Sequence, residues 1–280
     1  MKEYPLKYNN LTTRIISEYA KVCDGKVKTN PRCVRNFIKQ NTIKIDTFHN
    51  LVMEIGELSY KNPSVMLLYR GQNKNHIKEK NTALYPSIYR MHNKDDIKNG
   101  FKRLNLYENK LLELLKNNEN VNPEEFDEIK YIDALRHSIL QHYEVCATPF
   151  LDVTQSIKVA CSFAILNNKK TTGYIYVLAL PYITGRISEN SEEHIKNVRL
   201  LSIGCSLSKR PFFQEGYLAR TAYVNSDYTK KDEMDFNRRL VAIYEFNNDS
   251  KFWGDENPIH EDNLYPKDDK MIDICNKIIE

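Results

Sequence analysis

The chain has 280 residues, of which 41% are hydrophobic and 28% are charged, and its formal net charge is +4. This length and apolar content suit one large domain, or one domain with an appendage, and exclude an extensively disordered chain. The small net charge gives no general attraction to polyanions. Nucleic-acid binding would need a local cluster of cations such as Lys74, Lys78 and Lys80, and such a cluster is more typical of a solvated loop, because charge runs usually serve solubility.

The six cysteines include no C-x-x-C pair and have no closely spaced histidines, so we predict no metal site. The first residues lead into no apolar run of signal-peptide length. Elsewhere no stretch approaches the ~20 apolar residues that a membrane span needs. We therefore expect a cytoplasmic protein with reduced thiols and no membrane partner.

Apolar residues at helical spacing predict helices over residues 11–23 (with Gly25 as a C-cap), about 46–60, 101–116 and 123–142. Short apolar runs predict strands over residues 64–70, 173–180, 217–224 and 240–246. Between these groups, Thr148–Thr154 predicts a short strand and turn. Ser156 is the expected cap of an apolar helix over residues 157–166.

Helices dominate the first half of this pattern and strands dominate the second half, which indicates an α+β class. We expect a helical N-terminal part packed on a mixed or antiparallel sheet. The predicted organisation is N-terminal helices in residues 1–60 and a domain over residues 61–280, together forming one continuous globular unit.

Arg70 is the first candidate functional residue, because the predicted strand delivers its guanidinium just before Gly71. The forked donors of arginine suit phosphate or carboxylate, and a glycine lets a ligand or another chain segment approach the backbone closely. Two interpretations stay open. Arg70 either binds an anionic ligand or ties two elements together by pairing with a carboxylate such as Asp152.

Gln141 and His142 form the second candidate, at the end of a predicted helix. His137 shares a helix face with Gln141 and not with His142, which disfavours a two-histidine metal pair. A histidine at a helix C-terminus also stabilises the helix end, so a structural role for His142 is open as well.

Two further candidates are the pairs Asp152 with Thr154 and Gln214 with Glu215. Asp152 and Thr154 lie in a strand-to-helix turn, where their oxygens can satisfy backbone N–H groups or face a cleft. If a strand starts at Gln214, then Gln214 and Glu215 alternate in direction, so only one of them can point into a shared site.

These motifs, in this order, resemble the FRG domain, a bacterial family named for an Arg-Gly motif on an early strand. The resemblance covers roughly residues 50–280. The residues that carry it are Leu68–Gln72, Leu84–Arg90, Leu140–Tyr143, Thr148–Thr154, Val159–Ala164, Arg210–Pro211, Gln214–Gly216 and Leu264–Pro266. One departure is Pro149, which stands where the family usually has an arginine, so this chain lacks one cation there.

The motif order is also remotely similar to that of ADP-ribosyltransferases, which implies an ADP-ribosyltransferase-like fold and NAD as a substrate. The resemblance places the NAD phosphates on Arg70 and makes Glu215 the carboxylate that stabilises the oxocarbenium-like transition state. Tyr69 or Tyr89 could stack on nicotinamide or adenine. The catalytic set is then His142, Asp152 and Glu215, and the ligand-binding set is Arg70, Gly71, Gln72, Tyr89, Arg90, Gln141, Thr154 and Gln214.

Two functions from different classes remain open on this resemblance. One is an NAD-dependent ADP-ribosyltransferase-like enzyme in a bacterial toxin or anti-phage system, with a protein or nucleic acid as acceptor. The other is a non-catalytic module that binds a phosphorylated, nucleotide-like small molecule or a nucleic-acid end through Arg70, Gln72 and Arg90. A hydrolytic enzyme that uses His142 with Asp152 is a third reading, for which the sequence offers no obvious nucleophile.

Overall fold

The computed structural model describes residues 38–63, 65–91, 93–166, 171–202, 205–221 and 234–280. The helix predicted over residues 11–23, with Gly25 as its cap, lies outside these ranges. The strands are β1 (Ile43–Ile45), β2 (Met66–Gln72), β3 (Ile77–Lys78), β4 (Asn81–Thr82), β5 (Leu151–Thr154), β6 (Thr172–Leu180), β7 (Ile187–Asn190), β8 (Ile195–Arg199), β9 (Gly216–Thr221) and β10 (Leu240–Asn247).

Several of the helices begin where a side chain accepts a hydrogen bond from a free backbone N–H group of the first turn. The helices are α1 (Phe48–Lys61), α2 (Lys94–Lys116), α3 (Pro123–Tyr131), α4 (Asp133–His142), α5 (Ile157–Ile165), α6 (Arg210–Phe213), α7 (Ser250–Trp253), α8 (Glu261–Leu264) and α9 (Met271–Ile279). Thr47, Asn93, Asn122 and Ser156 each accept a hydrogen bond at the start of α1, α2, α3 and α5. The predicted cap at Ser156 is thus confirmed.

Eight strands form one mixed sheet in the order β1-β10-β6-β2-β5-β9-β8-β7. The β1–β10 pair is parallel, and the other neighbouring strands are antiparallel. Strands β3 and β4 make a separate short hairpin. The α+β class predicted from the sequence is confirmed.

Two apolar clusters hold this sheet between helices. One joins α1, α5 and α7 to the strands β1, β2, β6 and β10, with Leu51, Ala160 and Phe252 among its fully buried members. The other joins α2, α3, α4 and α9 to the β8–β9 end of the sheet. The described part of residues 1–60 therefore shares a core with the sheet, through β1 and α1, and the boundary at residue 60 stays a prediction.

The single helix predicted over residues 123–142 is instead two helices, α3 and α4. Ile132 between them is extended, with φ −107° and ψ 102°. The Arg136 guanidinium on α4 donates to the carbonyl oxygens of Ile129 and Lys130 at 2.9 and 2.7 Å, and so satisfies the end of α3. This break reorients α4 without any proline or glycine in the sequence.

Candidate functional site

A cavity of about 440 Å³ lies where two central strands of the sheet separate. Strands β2 and β5 pair at one position, Tyr69 with Thr154, and beyond it they diverge. The cavity is bounded by β2, β5, the end of α4 and the turn after α6. Sequence-distant motifs therefore meet at one opening in the sheet.

Arg70 reaches across this opening. Its Nη1 donates to the carbonyl oxygen of Asp152 at 2.7 Å and lies 3.8 Å from the Asp152 carboxylate. The side chain is 16% exposed, and burial lowers the pKa of the guanidinium while Asp152 partly opposes this shift. Its buried Nε has no hydrogen-bond partner among the described residues. Arg70 thus ties β2 to β5, as the second interpretation predicted, and its role in binding an anionic ligand stays a prediction.

Arg90 stands beside Arg70 and lines the same cavity. Its Nε donates to the Tyr85 carbonyl oxygen at 2.9 Å. Loss of hydration, together with the charge of Arg70, lowers the pKa of Arg90 to about 10, so Arg90 is still a cation at neutral pH. Two neighbouring guanidinium groups then face one carboxylate, Asp152, and this corner carries a net positive charge.

A second cavity of about 600 Å³ shares Arg90 and Leu151 with the first. It is the place of two more predicted ligand residues, Gln72 and Tyr89. The buried Gln72 Oε1 has no hydrogen-bond partner in the described ranges, whereas the Tyr89 ring is buried and packs edge-on against Phe101. Gln72 is therefore the more available of the two for a ligand.

His142 lies at the end of α4, with its side chain 4% exposed. Its Nδ1 is 3.0 Å from Gln214 Oε1, and its Nε2 is 3.7 Å from Asp152 Oδ1. Burial lowers the pKa of His142 despite the nearby Asp152 carboxylate, which favours the neutral ring. Neither Nε2 nor Asp152 Oδ1 has a hydrogen-bond partner in the described part of the chain.

Of the neighbouring residues Gln214 and Glu215, only Gln214 points into the cavity, a choice that the sequence left open. Gln214 is buried, lines the cavity and donates from Nε2 to the Leu264 carbonyl oxygen at 3.0 Å. Glu215 is exposed, lies in the left-handed region with φ 44°, and lines neither cavity. The strand starts only at Gly216, so it is the turn after α6 that directs Gln214 inward. Asp152, with its side chain 43% exposed, and Glu144 are the carboxylate residues that line the first cavity, and of these two Asp152 is the one beside Arg70 and His142.

Three other predicted residues line the cavity but have structural contacts. Thr154 Oγ1 donates to the Glu215 carbonyl oxygen and accepts from the Ser156 backbone, and Gln141 Oε1 accepts from the Thr148 hydroxyl. A Cβ at Gly71 would overlap the carbonyl oxygen of Ala160 on α5. The close approach that Gly71 permits is therefore that of a helix backbone to β2.

Sequence reasoning missed several residues around the cavity. Arg210 donates to the His142 carbonyl oxygen at 2.7 Å, and its guanidinium lies 4.6 and 5.0 Å from the ring centres of Tyr143 and Tyr265. Tyr265 and Cys146 line the cavity, and burial raises the pKa of Cys146 to about 12. Arg210 and Tyr265 both belong to motifs that carry the resemblance to the FRG domain, but the sequence assigned no function to either residue.

The class defined by these features is an α+β protein whose mixed sheet opens at β2–β5 into an arginine-lined cavity. Residues 66–173 match the model of the FRG domain family. The match includes Arg70, Arg90, His142 and Asp152, and the motifs from Arg210 onward lie beyond it. No curated protein and no solved structure matches the chain.

Two further searches of the described residues gave negative results. No group of three or more His, Cys, Asp or Glu side chains is arranged to hold a metal ion. Within the same ranges, none of the helices combines the length and the apolar character that a membrane crossing requires.

Proposed function

We propose that the FRG-domain cavity binds a phosphorylated, nucleotide-like small molecule, with Arg70 and Arg90 contacting its phosphates. The observation that carries this proposal is the buried Arg70 Nε, a charged donor without a partner among the described residues, beside a second guanidinium. A buried donor left unpaired costs about 1–3 kcal/mol, so a ligand anion that pairs with it gains correspondingly.

Two neighbouring cavities that share Arg90 and Leu151 support a ligand with two arms. Arg90 lines both, so phosphates held there would leave one arm in the chamber of His142 and Asp152 and the other in the chamber of Gln72 and Tyr85. NAD and ADP-ribose have this architecture, since a pyrophosphate joins their two halves. NAD is therefore the first probe.

The binding test is calorimetry and thermal unfolding with NAD, ADP-ribose, ADP and AMP. We expect a ligand of this set to raise Tm, because a ligand at 100 times its Kd stabilises the folded state by about 2.7 kcal/mol. Arg70→Gln should weaken binding by roughly 10- to 100-fold, the cost of a charged hydrogen bond. Arg199→Gln, at the exposed end of β8, is the matched control and should bind as the wild type does.

Failure of all four nucleotides to bind, or wild-type affinity in Arg70→Gln, would remove the proposal. A nucleic-acid end is the alternative ligand with the same chemistry. It is distinguished by a 5′-phosphorylated oligonucleotide that binds where the free nucleotides do not.

A second candidate function is cleavage of the nicotinamide–ribose bond of NAD, favoured by the carboxylate of Asp152 in the cavity with an unpaired Oδ1. The C1′–N bond would break with its electron pair leaving on nicotinamide. Water or an acceptor hydroxyl would form the new bond at C1′ and lose its proton to a base. In this proposal Asp152, rather than the exposed Glu215, stabilises the cationic transition state.

Nicotinamide release from NAD, followed by chromatography, tests this activity. Asp152→Asn should abolish release while NAD still binds, and Glu215→Gln should leave the rate unchanged. Loss of release in Glu215→Gln with full activity in Asp152→Asn would reverse the assignment. If the wild type binds NAD but releases no nicotinamide, the cleavage proposal is wrong and only the binding function remains.

A further inference from the structure

The amide of Gln214 has only one orientation that satisfies both of its neighbours. The Leu264 carbonyl oxygen can only accept, so the Gln214 group at 3.0 Å from it must be the NH₂ end. The opposite end, 3.0 Å from His142 Nδ1, is then the Oε1 oxygen, which can only accept. Both contacts are buried, so a reversed amide would place its oxygen against the Leu264 carbonyl oxygen, two acceptors with no proton between them.

This orientation fixes the proton on the His142 ring. Nδ1 must donate to Gln214 Oε1, and in the neutral ring the other nitrogen, Nε2, then carries a lone pair and no proton. Nε2 lies 3.7 Å from Asp152 Oδ1, which is also an acceptor. Two acceptors thus lie side by side at the cavity, and no described side chain donates to either.

We propose that Gln214 is a positioning residue that holds His142 in its Nδ1–H form, so that His142 Nε2 and Asp152 Oδ1 each accept a hydrogen bond from one hydroxyl group of the ligand. This inference rests on the proposed nucleotide function and assigns to the site a preference for a ribose that keeps its hydroxyls. A hydroxyl can donate to one acceptor only, so the two hydroxyls of a ribose match the two acceptors.

The phosphate contact and the hydroxyl contact are adjacent. Asp152 Oδ2 is 3.8 Å from Arg70 Nη1, and Asp152 Oδ1 is 3.7 Å from His142 Nε2. One carboxylate therefore lies between the predicted phosphate contact and the hydroxyl contact. The 5′-phosphate and ribose of one nucleoside monophosphate are likewise neighbouring groups.

The first test is ¹⁵N NMR of the His142 ring in the ligand-free protein near pH 7.5. We expect a protonated Nδ1 and an unprotonated Nε2. Gln214→Met removes the acceptor, and the proton should move to Nε2, where Asp152 can accept it. Gln214→Glu keeps an acceptor oxygen, and Nδ1 should stay protonated. A proton on Nε2 in the wild type, or the same ring state in wild type and Gln214→Met, overturns the assignment. Should Gln214→Met fail to fold, the wild type and Gln214→Glu still decide.

The second test compares AMP with 2′,3′-dideoxy-AMP, which keeps the phosphate and lacks both hydroxyls. In the wild type we expect the dideoxy compound to bind about tenfold more weakly or worse, since it leaves two buried acceptors unpaired. In Gln214→Met the difference should shrink to about twofold, whereas Arg70→Gln should weaken both compounds alike.

The two tests separate the two ways of failing. Equal affinity for both compounds in the wild type overturns hydroxyl recognition and leaves the phosphate proposal intact. Absence of binding by either compound, with NAD and ADP-ribose also failing, overturns the nucleotide function and hydroxyl recognition with it. In that case the ¹⁵N NMR spectra of the ligand-free protein still test whether Gln214 fixes the proton on His142.

Discussion

Two consecutive residues at the end of α4, His142 and Tyr143, enter two buried polar clusters of opposite character. The Tyr143 hydroxyl bonds to Ser208 Oγ and Asp269 Oδ2, and Asp269 also accepts from the backbone of Lys209, Arg210 and Met271. In the His142 cluster, by contrast, Arg70 Nε, His142 Nε2 and Asp152 Oδ1 lack partners among the described residues. A polar cluster that satisfies itself holds the fold together, and we propose that the unsatisfied atoms of the His142 cluster bind a ligand.

The largest effect should come from removing Asp269, the central acceptor of the satisfied Tyr143 cluster. Asp269→Ala leaves a buried hydroxyl and several backbone N–H groups without an acceptor. We expect it to lower the free energy of unfolding by on the order of 3 kcal/mol, measured by urea denaturation.

Two substitutions serve as controls for that measurement. Asp268→Ala removes the neighbouring, largely exposed carboxylate that pairs with Lys209 and should unfold close to the wild type. Asp152→Asn, in the open cluster, should change stability by less than about 1 kcal/mol. A loss in Asp152→Asn as large as that in Asp269→Ala would contradict the division into a structural and a functional cluster.

The pH dependence of the free energy of unfolding tests whether His142 is held in its neutral form in the folded protein. Burial lowers the pKa of His142 in the folded protein, with the cation of Arg210 acting in the same direction and Asp152 and Gln214 opposing. The unfolded chain then binds the proton more readily, so this contribution is present above the unfolded pKa of about 6.5 and is lost as the pH falls towards the lower folded pKa.

The free energy of unfolding should decline less steeply below about pH 6.5 in His142→Asn than in the wild type. The difference should amount to about 1.4 kcal/mol for each unit by which folding lowers the pKa of His142. Urea denaturation between pH 7.5 and 5 measures the difference between the two curves. His49→Asn, at an exposed position of α1, should leave the curve unchanged. Parallel curves for wild type and His142→Asn would show that His142 is protonated equally in both states.

The smallest expected effect concerns Cys146, the thiol that lines the cavity. Because burial raises its pKa to about 12, only about one thiol in 10⁴ is ionised at pH 8, and it is a poor nucleophile. Cys146→Ala should change nucleotide affinity by less than about twofold. Iodoacetamide labelling followed by peptide mass spectrometry should find Cys146 alkylated far more slowly than free cysteine. Rapid alkylation, or loss of binding in Cys146→Ala, would place the thiol in the functional cluster.

Sequence reasoning predicted those parts of the fold that depend on neighbours along the chain. The strand that carries Arg70, the Ser156 cap and the strand over residues 173–180 all have local causes, namely apolar runs and a side-chain acceptor before a helix. The pattern at residues 123–142 was misread because the contact that stabilises the break, from Arg136 to the end of α3, is made by a side chain within an otherwise helical pattern.

By itself, then, the sequence determined that this chain is an α+β protein and which motifs deserve attention, because periodicity and capping act over a few residues. Only the tertiary structure decided that Gln214 rather than Glu215 turns inward, that Gly71 accommodates α5, and that Arg70, His142 and Asp152 meet where β2 leaves β5. Those outcomes depend on how strands far apart in sequence pair and separate, and on which polar atoms remain unsatisfied after packing.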